Sequence, residues 1–470
     1  MAGSSTATGL REHGASILVA LLSSAFGVAL LQITGVLADV VRADPVTGPS
    51  GTVQLMLQVL AWVFIAIAIY VGSVVTANTF ATIVAGRART IALLRLIGSS
   101  ARRQRRGVAR EGLVVGVIGA VAGAAVGTGI AVALERVAVQ LGWLPDVGHA
   151  WADAGLVAPV VAVVLTTWLA AWVGSRRVLS VTPLQAIGGS QPRSDEELRA
   201  RPARNIVAIA LMSLGVAVLV LAMIVGLTTP FAVLIGVVGG ILSFTGVVLG
   251  AHLIMPPALR LVGRMLGRSP AARLAAANAL RYPERATRTT IGVVIGVTLV
   301  TMFGVTMASF RLLIEAARAA QPEVYQGTEQ LLDSLTAVFS VLIGVSALIA
   351  AVGLVNALSL SVLQRTRELG LLRALGFSRG QLRRMILAES AQLTVTAVLV
   401  GLVLGTFYGW VGAQSLLASS QGMPGIVAPG VPWAVLGIVV LAAALLTAVA
   451  TLAPTRRATR VSPVAALAVE

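Results

Sequence analysis

The chain contains no cysteine, which excludes disulfides, thiolate metal sites and a cysteine nucleophile. It contains no lysine either: all 35 basic residues are arginine. A phosphate loop of the G-x-x-x-x-G-K-[ST] type needs a lysine to reach the nucleotide phosphates, and Schiff-base chemistry needs one as nucleophile. Both are excluded, so any ATP used with this chain must be hydrolysed by another. Charge is scarce, at 11% of 470 residues, against about 25% in a soluble domain. Aromatic residues make up 4%. With so few, and no soluble basic domain, the net charge of +17 does not point to nucleic acid.

What remains is apolar. Hydrophobic residues make up 57% of the chain and the mean hydropathy is +0.93, the composition of an all-α integral membrane protein. A spanning helix needs about 20 mostly apolar residues. Ten windows meet that condition: 17–38, 54–80, 112–134, 156–174, 205–227, 231–254, 290–310, 334–360, 390–413 and 433–453. The first is too long for the apolar core of a signal peptide and follows little positive charge, so it reads as a span. Only "TTP" separates the fifth and sixth windows, which predicts a tight helical hairpin.

The arginines orient these spans. The loops 39–53, 135–155, 228–230, 311–333 and 414–432 hold four of the 35, namely Arg42, Arg136, Arg311 and Arg318. The other 31 fall on the opposite side. Positively charged loops stay in the cytoplasm, so both termini are expected there, in a multi-pass protein of the cell membrane. Arginine-only usage suggests a GC-rich, bacterial source.

Laid over itself, the chain matches in one register. "RARTIALLRLIGSSARRQRR" (87–106) meets "RTRELGLLRALGFSRGQLRR" (365–384). Asn78 meets Asn356, Glu111 meets Glu389, and Gly123 and Gly127 meet Gly401 and Gly405. In nearly the same register, "SRRVLSVTPLQAI" (175–187) meets "TRRATRVSPVAAL" (455–467). A match of this length indicates duplication. The expected layout is a four-span repeat over 1–190, a polar linker and two-span hairpin over 191–265, and a second four-span repeat over 266–470. Both repeats start in the cytoplasm and are therefore parallel, related by an axis along the membrane normal. Residues 188–204 and 255–289 read as cytoplasmic connectors.

Within 365–384, Arg365 and Arg367 mark the exit from the bilayer. Gly376 interrupts the helix, and Ser378 is placed to cap its resumption. Orientation alone needs charge; it does not need Leu-Leu-Arg-x-x-Gly at the same place twice.

These residues resemble a known family. "RTRELGLLRALGFSRGQLRRMILAES", with a glycine-spaced span after it and the ending "APTRRATRVSPVAALAVE", is similar to the FtsX/MacB-type ABC transporter permeases. "LAAANALRYPERATRTT" (274–290) is similar to the amphipathic helix that leads into the first span of that domain. The resemblance is strong over about 270–470, degraded over 54–190 and slight over 205–254. The ten-span duplicated layout resembles the BceB and LolC-like branch, with two FtsX-like repeats.

The resemblance implies a separate cytoplasmic ATPase, with two subunits expected, that binds the ATP and Mg; no cofactor belongs to this chain itself. It implies that the hairpin between the second and third spans of each repeat docks on that ATPase. In the second repeat this role falls on Arg365, Arg367, Glu368, Gly370, Arg373, Gly376, Ser378, Arg379, Arg383 and Arg384. In the first it falls on Arg87, Arg89, Arg95, Gly98, Arg102, Arg103, Arg105 and Arg106. The first copy departs from the pattern, with Thr90 where the second has Glu368, so unequal docking is expected. Many family members carry a large extracellular domain after the first span of a repeat. The loops 39–53 and 311–333 are too short for one.

Gly119, Gly123 and Gly127, like Gly401, Gly405 and Gly409, recur every four residues, the small-xxx-small pattern of close helix packing. They are expected to pack the two halves together. Glu111 and Glu389 are read at the start of the third and ninth spans, where the helix dipole favours a carboxylate. His252 has no second metal ligand near it and reads as a hydrogen-bonded packing residue. No catalytic or metal constellation is present in the sequence.

Two functions remain. One is the permease subunit of an ABC transporter for an amphipathic substrate: lipid, lipoprotein, peptide or drug. The other is a mechanotransmitter that drives an extracellular protein partner, such as a cell-wall hydrolase. A secondary transporter fares worse, since no span carries a charge near its middle. Membrane lipid is the surrounding partner in every case.

Overall fold

The computed structural model describes residues 14–43, 98–142, 144–151, 154–175, 202–265, 283–320, 375–419 and 425–460. It also describes scattered positions over 55–78 and positions 93, 94, 277, 280, 344 and 371. Among the described residues every regular element is helical. The long helices are α1 (Gly14–Ala43), α2 (Ala101–Gln140), α3 (Val157–Gly174), α4 (Pro202–Gly226), α5 (Ala232–Leu249), α6 (Ala251–Met265), α7 (Pro283–Ala320), α8 (Arg379–Leu417) and α9 (Trp433–Arg460). Seven of them, α1 to α5 with α7 and α8, are long and apolar enough to cross a membrane. They fall on seven of the ten expected windows. In the second and tenth windows lie the shorter apolar stretches Trp62–Val71 and Trp433–Ala448. Apart from Gly344, the eighth window lies outside the described residues.

Three expectations change. The docking arm and the span after it form one unbroken helix, from Ala101 to Gln140 and again from Arg379 to Leu417. Glu111 and Glu389 therefore lie about three turns inside α2 and α8. The dipole acts within the first turn of a helix, so it does not account for them. The stretch from 255, expected as connector, instead continues a helix. α5 ends at Gly250, and α6 runs on through Pro256 and Pro257. α6 buries Met255 and Leu259 against α7 and α8. Gln392 of α8 holds it there, its side-chain amide donating to the Leu259 carbonyl at 3.0 Å.

The glycine triplets are the third change. α2 lies along α1, and α8 lies along α7. A Cβ on Gly119 would come 2.5 Å from Ala20 Cβ, and one on Gly127 would come 2.5 Å from the Ala25 carbonyl oxygen. Gly123 faces the Leu21 carbonyl at closer range still. In the second half, the same test brings Gly401 to 2.7 Å from Val297 Cβ, Gly405 to 2.5 Å from Thr301 Cβ and Gly409 to 2.6 Å from the Met302 carbonyl oxygen. The glycines thus join the first and third expected spans within each half, not one half to the other. In lipid, helices associate through such close packing, because the tails are as apolar as the side chains.

α3 completes the first group by packing on α1 and α2, as α9 completes the second on α7 and α8. The hairpin α4–α5 packs on α8. It is itself glycine-tight: Gly215 faces Ser243, and Gly246 faces the backbone of Met212. At its base, Arg204 donates to His252 Nδ1 at 2.7 Å and to the Leu249 carbonyl, covering an end group of α5. His252 Nδ1 also lies 3.1 Å from the Leu249 carbonyl oxygen, and Nε2 lies 2.8 Å from Asn205 Oδ1.

Candidate functional site

Two places stand out: the paired turns before α2 and α8, which carry the docking expectation, and a pocket lined by spans from both halves.

Both turns are built the same way. Gly98 has φ +99° and Gly376 has φ +97°, a backbone that residues with a Cβ rarely adopt. Two residues on, Ser100 Oγ accepts from the Arg103 N–H, and Ser378 Oγ accepts from the Gln381 N–H, each at 3.2 Å. The second turn adds a reciprocal bond from the Ser378 N–H to Gln381 Oε1 at 2.9 Å, completing a capping box. Leu93 and Leu371, which the repeat also matches, are both exposed.

The turns differ in what fills them. Leu382, Met385 and Ile386 form a buried apolar cluster with Phe377. The equivalent of the Phe377–Leu382 pair is Ser99 and Gln104, joined by a hydrogen bond from Gln104 Nε2 to Ser99 Oγ at 2.8 Å. Arg105 of the first turn stacks over the Trp172 ring, 3.9 Å from its centre. Its counterpart Arg383 is exposed, as are Arg384, Arg102, Arg103 and Arg106. Arg87, Arg89, Arg95, Arg365, Arg367, Glu368, Gly370, Arg373 and the Arg379 side chain lie outside the described residues, and so does the Thr90 to Glu368 difference.

The pocket lies between the stretch Trp62–Val71, α4, α5, α7 and α8 and is open on part of its surface; its empty space, with the part open to the surroundings included, is about 1020 Å³. Among the described residues its lining is almost wholly apolar and contains no charged residue. Phe244 of α5 is part of its lining, edge-on to Tyr70 from the first half (6.3 Å between ring centres) and to Tyr408 from the second (6.1 Å). Hydroxyl pairs flank it: Tyr70 with Thr245 at 2.9 Å, and Tyr408 with Ser243 at 2.8 Å. Three consecutive residues of the hairpin thus join both halves. Sequence reasoning missed this group. Its one signal was the scarcity of aromatics, several of which gather here.

Sequence reasoning also gave no role to His149. Its ring lies between Asp39 Oδ2 (2.7 Å) and Gln32 Oε1 (2.9 Å), while Gln32 Nε2 donates to the Trp151 carbonyl. This pins residues 149–151 to α1. Among the described residues no group of three or more potential metal ligands occurs.

Comparison with known proteins falls in the same register. The family described as FtsX-like permease C-terminal matches residues 62–183 and 340–463. The two matched segments stand against each other as the internal repeat does, each holding one of the two turns' following helices. The chain is similar to an uncharacterized ABC transporter permease, YknZ, of Bacillus subtilis, at 30% identity over 148 residues, covering 32% of this chain and 35% of that protein. It is similar to a macrolide export ATP-binding/permease protein, MacB, of Rhodopirellula baltica, at 33% identity over 104 residues, 20% of this chain and 15% of that one. A pyoverdine export ATP-binding/permease protein, PvdT, of Pseudomonas aeruginosa is 30% identical over 137 residues, 29% of this chain and 19% of its own length. The chain therefore spans about a third or less of the length of these relatives.

Proposed function

The chain belongs to the FtsX-like permease family, and on that premise we propose that it is the transmembrane permease subunit of an ABC transporter. In this reading a separate cytoplasmic ATPase hydrolyses ATP, and the permease couples that cycle to export or extraction of an amphipathic substrate. The ten-span layout, with cytoplasmic termini and two FtsX-like repeats about the hairpin, is part of the same proposal.

The observation that carries it is the repeated turn. A left-handed glycine, a serine cap and an arginine-bearing helix start occur twice, at matched positions of the repeat. Each turn heads a helix that runs unbroken into the bilayer, α2 or α8. A push on the turn is thereby delivered along a rigid rod to the glycine-packed seam of that half. Two relatives join the permease to an ATP-binding part, as their names state. This chain has no lysine for a phosphate loop, which favours an ATPase on another chain.

Transport is favoured over mechanotransmission by the pocket. A rod that only relays motion has no use for an apolar cavity walled by both halves. The test is reconstitution of the full chain with its co-purifying ATPase in liposomes. ATP-dependent movement of a labelled lipid or peptide is expected; ATP hydrolysis without movement, together with a protein crosslinked to the outer face, would favour the transmitter.

A further inference from the structure

We propose that His149 is a proton-binding site: with both ring nitrogens protonated it latches residues 144–151 onto α1, and with one proton gone it lets them go. The site lies at the end of α2 opposite the docking turn. It needs no ATPase and does not depend on the export reading.

The match of donors to acceptors leads to it. His149 Nδ1 lies 2.7 Å from Asp39 Oδ2, and Nε2 lies 2.9 Å from Gln32 Oε1. The Gln32 amide is oriented by its other end. Its Nε2 donates to the Trp151 carbonyl at 2.9 Å, and a carbonyl can only accept. Both ring nitrogens thus face oxygens that accept. A neutral imidazole has one N–H to give and one bare nitrogen, whereas an imidazolium donates from both. The neutral ring sets a lone pair against an oxygen beside Gln32, which is 2% exposed, where polar groups are nearly always satisfied.

The seat is shaped for the ring. Gln32, Gly35 and Asp39 share one face of α1 at helical spacing. A Cβ on Gly35 would come 2.7 Å from His149 Cε1, so glycine leaves the room the ring fills. The Trp151 ring stands edge-on to it, 4.9 Å between centres. Among the described residues, the charged groups at this end are Asp39 and Arg42 on α1, Glu135 and Arg136 on α2, and Asp146 on the loop; α3 carries none. Asp39 is the one bonded to the ring, and its other oxygen takes Arg42 at 2.7 Å.

The second half pins its own loop through uncharged groups. Ala20 meets Gly119 as Val297 meets Gly401, and Ser24 meets Gly123 as Thr301 meets Gly405. The same register puts Ser309 where the first half has Gln32, and Ala316 where it has Asp39. Ser309 Oγ accepts from the Gly430 N–H at 2.9 Å, the counterpart of the Gln32 bond to Trp151. Two residues before Gly430 stands Ala428, where the first loop has His149. The proton site thus belongs to the first half. The closed latch binds a proton that the open loop gives up, so closure is favoured as pH falls and lost as pH rises.

The test uses the full chain in nanodiscs with isotope-labelled histidine. The sequence has three histidines, and His149→Gln assigns the signal. Ring nitrogen shifts report whether each nitrogen carries a proton, over a titration between about pH 5 and 9 that brackets the usual histidine range. Two protonated nitrogens are expected for His149 at the acid end and one at the alkaline end. A spin label on Ala150→Cys, an exposed position beside His149, reads the loop, and one on Ala428→Cys reads its counterpart. The first label should gain mobility as the ring loses its proton; the second should not change. Asp39→Asn removes the charge that favours the imidazolium, so loss of the proton and release of the loop should both move to a pH at least ~1 lower. Gly35→Ala, which pushes the ring from its seat, should free the Ala150→Cys label at every pH. A ring that keeps one bare nitrogen throughout, or both protons throughout, overturns the proposal. So does an Ala150→Cys label whose mobility ignores the proton, or an Asp39→Asn titration that coincides with the unaltered one. The titration of the unaltered protein decides alone if Asp39→Asn fails to fold.

Discussion

Gly98 and Gly376 occupy matched positions of the repeat and hold the same left-handed backbone, with φ of +99° and +97°. In each case the chain turns there and a serine two residues on caps the next helix. A Cβ at either glycine meets no atom within 4 Å, so the constraint is one of backbone conformation and not of space. Gly376→Val should cost about 1–2 kcal/mol locally and redirect the helix start. Stimulation of the partner ATPase by the permease should fall sharply in Gly376→Val and less in Gly98→Val, as read by phosphate release in nanodiscs.

The unequal turns give a second outcome. Phe377 and Leu382 form an apolar contact where Ser99 and Gln104 form a hydrogen bond. Phe377→Ser with Leu382→Gln should weaken ATPase co-purification strongly. Ser99→Phe with Gln104→Leu in the first turn should leave it equal or stronger. Pull-down yields from matched membrane preparations distinguish the two.

The glycine seams predict a stability effect. Gly405→Leu forces a side chain into the space held by Thr301, and overpacking of this kind costs about 1–3 kcal/mol. Thermal unfolding in detergent should fall for Gly405→Leu and for Gly123→Leu, while Gly240→Ala, which faces open space, should stay within about 0.5 kcal/mol.

The hydroxyl pair between the hairpin and the second half is measurable by a double-mutant cycle. Tyr408→Phe and Ser243→Ala each break the same 2.8 Å bond. Their coupling energy should be about 0.6 kcal/mol and no more than about 1.7 kcal/mol, the range for such bonds between membrane helices. A value of zero would show that the pair does not hold the hairpin to α8.

Much of this was legible in the sequence because it was written as period and repetition. Apolar run length located seven helices, since the fixed rise per residue of a helix sets how many residues cross the bilayer. Duplication marked Gly98 and Gly376, and serine at the right offset marked the second cap, Ser378. What was not legible depends on contacts between distant elements. The four-residue glycine spacing announced close packing but not its partner, and the partner is α1 or α7 inside the same half. Tyr70, Phe244 and Tyr408 come from three separate spans and share no motif, so no local pattern joins them. Glu111 and Glu389 were placed at helix starts because a charge after arginines resembles a boundary. The helix begins ten residues earlier because Ser100 and Ser378 cap it there.

The most direct test of the account uses the absence of cysteine, which makes every introduced thiol unique. Arg384→Cys and Arg106→Cys place one at equivalent exposed positions on the two turns. In membranes containing the partner ATPase, a short thiol-reactive crosslinker should join the ATPase to the chain through Arg384→Cys, and less efficiently through Arg106→Cys. Arg311→Cys, beyond the other end of α7's apolar core, should give none. Crosslinking to the ATPase from Arg311→Cys, or from neither turn, would contradict the account.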